Sequence, residues 1–312
     1  MSENSSWERQ ALEHLLLENL KEQRRSRRWR AVFRVLSLVI VIGIASQVFD
    51  WNWGGKSALG KHTALVDLQG EIAPDTQANA DNVMSALRAA FESRESVGVI
   101  LRINSPGGSP VQAGIIHDEI KRLRAQHPNK PLHVVVEEIC ASGGYYVAVA
   151  GDQIYVDKAS LVGSIGVIMS GFGATGLMDK LGVERRLITA GKNKALLDPF
   201  TKQDPNQKSF VQNMLNEVHQ QFITVVKEGR GERLKETPDM FSGLVWNGAK
   251  SVELGLTDGL GTVDSVARDV FKTPDVVDYT TKENIAERFA KRFGAAMGGA
   301  AAKVLMYGQQ LR

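Results

Sequence analysis

Two rhythms divide the chain. Residues 35–49 (VLSLVIVIGIASQVF) are uncharged and mostly apolar, with no alternation between faces. Beyond residue 62, apolar runs of strand length alternate with stretches whose apolar residues recur every three or four positions. TALVDLQGEI (63–72), VGVILRIN (97–104), PLHVVVEEI (131–139), QIYVD (153–157), VGSIGVIMS (162–170) and ERRLITAG (184–191) predict strands. Helices are predicted over 76–92, where Val83, Leu87 and Phe91 share a face, and after residue 109, where Val111, Ile115, Ile116, Ile120 and Leu123 repeat at helical spacing. SGGYYVAVA (142–150), ATGLMDKLG (174–182) and 205–229 complete the helical set. Ser109 and Pro110 suit an N-cap and a first helical position. Strands separated by helical stretches predict an α/β fold with a largely parallel sheet and helical crossovers.

The apolar run at 35–49 changes this picture at one end. It is shorter than the roughly 20 residues that span a bilayer. It extends through Ala31, Val32 and Phe33 if Arg34 snorkels, and forward to Trp51 and Trp53, which favour the interface. Residues 1–34 carry eight Lys/Arg against five Glu, which predicts a cytoplasmic N-terminus. A cleaved signal peptide is the alternative; the length of the preceding region and the poor cleavage site GIAS stand against it. The expected organisation is a basic segment over 1–34, a single transmembrane helix over 35–53, a Gly-rich linker over 54–61, a catalytic domain over 62–275 and a tail over 276–312. Within the first segment, Ser5 and Glu8 suit a capping box ahead of Leu12, Leu15, Leu16 and Leu20. In the tail, Ile285, Phe289 and Phe293 share a face, the pattern of an interfacial helix or a subunit contact.

Composition narrows the chemistry. With 43% hydrophobic and 23% charged residues in 312, the chain is globular rather than disordered. A net charge of +3 gives no argument for nucleic acid. The single cysteine, Cys140, excludes an internal disulfide and a cysteine-based metal cluster. No HExxH motif or phosphate-binding loop occurs, so no metal or cofactor is expected.

Three motifs place glycines at predicted strand ends: NSPGG (104–108), ASGG (141–144) and GSIGVI (163–168). Each alone is weak, and CASGG departs from the G-x-S-x-G elbow because Cys140 stands at the first glycine position. A nucleophilic serine needs a base and an oxyanion hole. Among His14, His62, His117, His127, His133 and His219 none is marked by its surroundings, which leaves a Ser-His-Asp triad open. The other candidate base is a lysine made neutral by burial, and TAGKNKALLDPF (189–200) offers Lys192 and Lys194, the latter leading into Ala195, Leu196 and Leu197.

LRINSPGG, ASGGYYVAVAGDQIYVDKASLVGSIGVI, GKNKALLDPFT and GLVWNGAKSVELGLTDGLGTVD, in this order over about residues 62–270, resemble the signal peptide peptidase A family of bacteria in its short, single-catalytic-domain form. The resemblance implies a crotonase/Clp-protease-like fold and a membrane-anchored serine endopeptidase with a Ser-Lys dyad. Carried over by position, Ser142 is the nucleophile and Lys194 the general base. Gly108 and the Ser142 amide form the oxyanion hole, and Ser164 holds the lysine. Ile165, Gly166 and Val167 bind the substrate as an extended strand. Asn193 departs from the aromatic residue or histidine that the family often carries there. The resemblance further implies cleaved signal peptides as substrates, a bacterial inner membrane location with the catalytic domain outside the cytoplasm, and a homo-oligomer, of eight subunits in the short forms. Three alternatives are open: a membrane-anchored quality-control protease, a scaffold with other protein partners, and, from the fold alone, crotonase-type acyl-CoA chemistry.

Overall fold

In the computed structural model of the protein, residues 27–30, 32–39, 42 and 60–281 are described. Two compact units are distinguished: Met1–Lys56 with Glu283–Arg312, and Ser57–Lys282. In the first, the described residues 27–30, 32–39 and 42 are helical. Among the described residues no helix is long and apolar enough to cross a membrane; most of the expected span at 35–53 lies outside them. The expected helices at 5–23 and from Glu283 lie outside them as well.

The second unit is built on one sheet. Its strands are β1 (His62–Gln69), β2 (Ser96–Ser105), β3 (Leu132–Ala141), β4 (Gln153–Val156), β5 (Leu161–Gly163), β6 (Val245–Asn247), β7 (Gly259–Leu260) and β8 (Val276–Asp278). The main path runs β6-β5-β3-β2-β1-β8, with β4 joining β3 to β7. Every pairing is parallel except β5 with β6. The crossovers are α1 (Ala80–Glu92), α2 (Pro110–Gln126) and α3 (Gly143–Ala148), followed by α4 (Thr175–Leu181), α5 (Pro205–Arg230) and α6 (Gly248–Glu253). This mixed, mostly parallel arrangement with helical crossovers fits a Clp-protease-like fold.

Both faces of the central strands are covered, which is why they read as near-continuous apolar runs. On one face Leu87 and Phe91 of α1, Ile116 and Ile120 of α2 and Tyr145 of α3 pack with Val66, Leu101 and Val134. On the other, Leu65, Ile100 and Val135 meet Val266 and Ala267, with Phe271 against them. Each such side chain, fully buried, contributes about 1.5–3 kcal/mol.

The helix starts follow their caps. Asn79 accepts from the amide of Asn82 and starts α1 four residues later than periodicity predicts. Ser109 and Pro110 open α2 as expected. Other expectations are corrected. VGSIGVIMS enters the sheet only through Gly163, and ERRLITAG joins no strand ladder, although its sequence has strand character. The folded unit also passes the predicted boundary at 275: β8 pairs with β1, and the Tyr279 hydroxyl hydrogen-bonds His62 at 2.9 Å.

Candidate active site

Sheet register brings the three glycine motifs to one edge. Ser105 of β2 pairs with Cys140 of β3, and Ala141 of β3 with Gly163 of β5. The residues that follow, Pro106–Gly108, Ser142–Gly144 and Ser164–Gly166, therefore leave the carboxyl ends of adjacent parallel strands, where open α/β sheets bind ligands.

Loop 106–109 is stitched to Ile72, whose amide donates to Gly107 O and whose carbonyl accepts from the Ser109 amide, both at 2.8 Å. Two of its residues must be glycine. At Gly107 (φ 101°) a Cβ would lie 2.7 Å from both Ser142 Cβ and the Gly143 nitrogen. At Gly108 (φ 145°) it would lie 2.2 Å from Ile72 O. The close approach leaves the Gly108 amide beside the start of α3; a Cβ on Gly143 would stand 3.3 Å from the Gly108 nitrogen.

Ser142 forms the turn between β3 and α3 at φ 51°, ψ −123°, a conformation costing a non-glycine residue about 1–3 kcal/mol. It is held there from both sides. Its N–H donates to Gly163 O at 2.9 Å, and its carbonyl accepts from the Tyr146 amide at 3.0 Å. Tyr145, fully buried next to it, donates its hydroxyl proton to Leu256 O at 2.7 Å. The Ser142 hydroxyl is half-buried and makes no hydrogen bond among the described residues. A strained serine at a strand-to-helix turn is the geometry of a nucleophile elbow, reached here without its sequence pattern.

One expectation changes. The Ser142 amide, predicted as an oxyanion donor, is spent on Gly163. The N–H groups of Gly108 and Gly143 are the neighbouring pair without a partner among the described residues. The sequence could not separate Ser142 from Gly143 here, because the choice rests on how Ala141 and Gly163 pair.

Ser164 is also left-handed (φ 52°), its amide donating to Leu244 O at 2.7 Å. Ile165 is fully buried, while Gly166 and Val167 are half-buried. The backbone groups of Gly166, Val167 and Ile168 make no hydrogen bond among the described residues. Lys194 sits on a turn closed by its own amide to Gly191 O at 3.1 Å. It is exposed, as is Lys192, and it hydrogen-bonds neither Ser142 nor Ser164. The burial expected for the amine is therefore not supplied by the described residues of one chain.

Among the described residues no histidine hydrogen-bonds Ser142. His117 is turned to Asp118, and burial holds it below the usual histidine range. His133 stacks on Phe271 with ring centroids 4.9 Å apart, and burial lowers it likewise. His219 of α5 reaches Ile165 O at 3.1 Å, a contact that sequence reasoning missed because nothing marks a backbone carbonyl 54 residues away. Cys140 is buried beneath the site, and burial pushes its thiol far up, away from reactivity.

Comparison with known proteins gives this geometry a family. The sequence profile of peptidase family S49 matches residues 124–276, which include Ser142, Ser164 and Lys194. A Methanocaldococcus jannaschii protein, provisionally named a protease, is 34% identical over 257 residues, covering 80% of this chain and 82% of its own. The chain belongs to the signal peptide peptidase A family, peptidase family S49. An Enterococcus faecium member, provisionally named signal peptide peptidase SppA, is 29% identical over 66% of this chain and 60% of its own. The Na(+)/H(+) antiporter NhaA of Brucella melitensis is 45% identical over 185 residues, 59% of this chain. The chain spans 25% of that antiporter's length.

Proposed function

We propose that this chain is a serine endopeptidase acting through an acyl-enzyme, with Ser142 as nucleophile and Lys194 as general base. The observation that carries the reading is the unpartnered Ser142 hydroxyl, held on a strained turn beside the free N–H groups of Gly108 and Gly143. Neutral Lys194 takes the Ser142 proton as the oxygen attacks the peptide carbonyl carbon. The Gly108 and Gly143 amides stabilise the oxyanion, and the lysine returns the proton to the leaving amine. Water, activated by the same lysine, then releases the acyl group. Ser164 orients the lysine, and the free backbone of Gly166–Ile168 pairs with an extended substrate.

The dyad is completed between copies in this reading. Lys194 is exposed, and its segment carries apolar side chains that a monomer leaves in water: Ile188 is 97%, Ile168 87% and Phe172 77% exposed. Covering them with a second copy would desolvate the Lys194 amine, as a general base requires. The assembly is a homo-oligomer, of eight subunits if it follows the short forms the sequence resembles. The substrates are hydrophobic peptides, cleaved signal peptides foremost, and the apolar run at 35–49 anchors the chain in a bacterial inner membrane with the peptidase unit outside the cytoplasm. Cation–proton exchange is not adopted, since the stretch shared with the Brucella protein is a quarter of its length.

Cleavage of a synthetic signal peptide tests this. Ser142→Ala and Lys194→Ala each lower turnover by at least about a thousandfold. Mixing the two inactive variants restores activity, because one supplies the serine and the other the lysine. Full activity in Lys194→Ala would sink the dyad, and failure of the mixture to recover would place both groups in one chain. A quality-control protease would prefer unfolded proteins to signal peptides in the same assay. A scaffold would leave Ser142 unlabelled by a serine-directed reagent.

A further inference from the structure

The segment that follows Ser164 leaves the sheet, yet it does not leave at random. Ser164 gives its amide to Leu244 O at 2.7 Å, and Ile165 buries its side chain completely. The next hydrogen bond along the chain is made by the Ile165 carbonyl, which accepts from His219 Nε2 at 3.1 Å. Beyond it the backbone of Gly166, Val167 and Ile168 has no partner among the described residues. Among the described residues, the bond from His219 is thus the last hydrogen bond before the unpaired backbone begins.

The helix that carries His219 is a firm base for it. One turn further along α5, Phe222 is buried against Tyr146, with ring centroids 5.2 Å apart, and Tyr146 donates its amide to Ser142 O. One helix is therefore keyed to both sides of the site: through Phe222 to the helix that starts at Ser142, and through His219 to the strand end at Ile165. A carbonyl accepts only from a protonated nitrogen, so the bond requires a proton on Nε2.

From this we infer that His219 is a positioning residue for substrate. It fixes the plane of the Ile165–Gly166 peptide and so aims the free backbone groups of Gly166–Ile168 at an extended peptide lying across Ser142. His219 moves no proton in the reaction, because its Nε2 is committed to Ile165 and not to the Ser142 hydroxyl. The inference rests on the peptidase reading above, and its effect is confined to substrates long enough to pair with the edge.

The test uses the full chain and two fluorogenic substrates, an extended peptide that reaches the edge and a short activated ester that does not. Labelling of Ser142 by a fluorophosphonate gives a third readout. His219→Asn, whose amide falls short of the carbonyl, is expected to raise KM for the extended peptide about three- to tenfold, the worth of one net hydrogen bond. Its kcat, its turnover of the short ester and its labelling rate stay within about twofold of the parent, inside that same hydrogen-bond range. His219→Gln, whose amide reaches the Nε2 position, recovers the low KM. Equal KM values in the Asn variant and the parent overturn the inference. So does a Gln variant as impaired as the Asn one, or a loss of ester turnover and labelling together, which would make His219 part of the proton-transfer machinery. Unchanged cleavage in Ser142→Ala, by contrast, overturns the peptidase reading itself.

Discussion

The sheet that carries Ser142 and the segment that follows β5 differ in how they are supported. Around Ser142 every support is internal: Tyr145 is buried, Gly163 and Tyr146 clamp the turn, and Gly107 and Gly108 fit where no side chain could. Residues 168–200, which carry Lys194, expose Ile168, Met169, Phe172, Leu177, Leu181 and Ile188 and join no strand ladder. That segment is not formless. The Ala174 amide donates to Pro199 O at 2.7 Å, Arg185 stands over Phe200, and Gly182 closes α4 in the left-handed conformation. The surroundings of the proposed nucleophile are finished within the chain, whereas the segment of the proposed base is shaped but left exposed. On the proposed reading, assembly would set catalytic strength without disturbing the fold that holds the serine.

The sharpest test of this contrast removes Asp258, which accepts from Arg230 through both oxygens at 2.8 Å while the Arg230 side chain is 1% exposed. Asp258→Ala strands a buried guanidinium and should lower unfolding free energy by about 3–5 kcal/mol in urea titrations. A change below 1 kcal/mol would mean that this end of α5 does not hold the body together. Next, Gly108→Ala sets a methyl against Ile72 O and moves the proposed oxyanion donor, and kcat should fall about a hundred- to a thousandfold with KM little changed.

Substitutions in the exposed segment should behave differently. Ile188→Ser or Phe172→Ser should shift the monomer's stability by no more than about 0.5 kcal/mol, yet reduce the assembled fraction seen by sedimentation and lower activity with it. Large destabilisation with unchanged assembly would erase the distinction between the two regions. The smallest effect concerns pH. Burial holds His117 and His133 below the usual histidine range, so both stay neutral in the folded chain while the unfolded chain takes up protons near pH 6.5. Their contribution to stability is complete above about pH 6.5 and is lost as pH falls through that value toward the lowered folded pKa. The melting temperature should decline over that window, and His133→Leu should flatten the slope.

The same division separates what the sequence reveals from what it hides. Strands β1 to β3 and helices α1, α2 and α5 were legible because their apolar spacing and caps, such as Ser109 with Pro110, are satisfied within the chain. That the three glycine motifs close strand ends was legible in the same way, whereas the adjacency of those strands is given by the sheet order. ERRLITAG misled because strand character describes a segment fit to pair without naming its partner, and among the described residues none pairs with it. Two details of the site were out of reach for another reason. Which amide beside Ser142 is left without a partner depends on the backbone there, and the contact of His219 depends on a carbonyl, a group every residue possesses.

The backbone at Ser142 has a consequence for how this protein can drift. The conformation there suits glycine better than any residue with a side chain. Replacement by glycine would relax the turn and produce a sturdier molecule with no hydroxyl to react. Selection for persistence alone would therefore pull this position away from serine, and the proposed chemistry is what would hold it there.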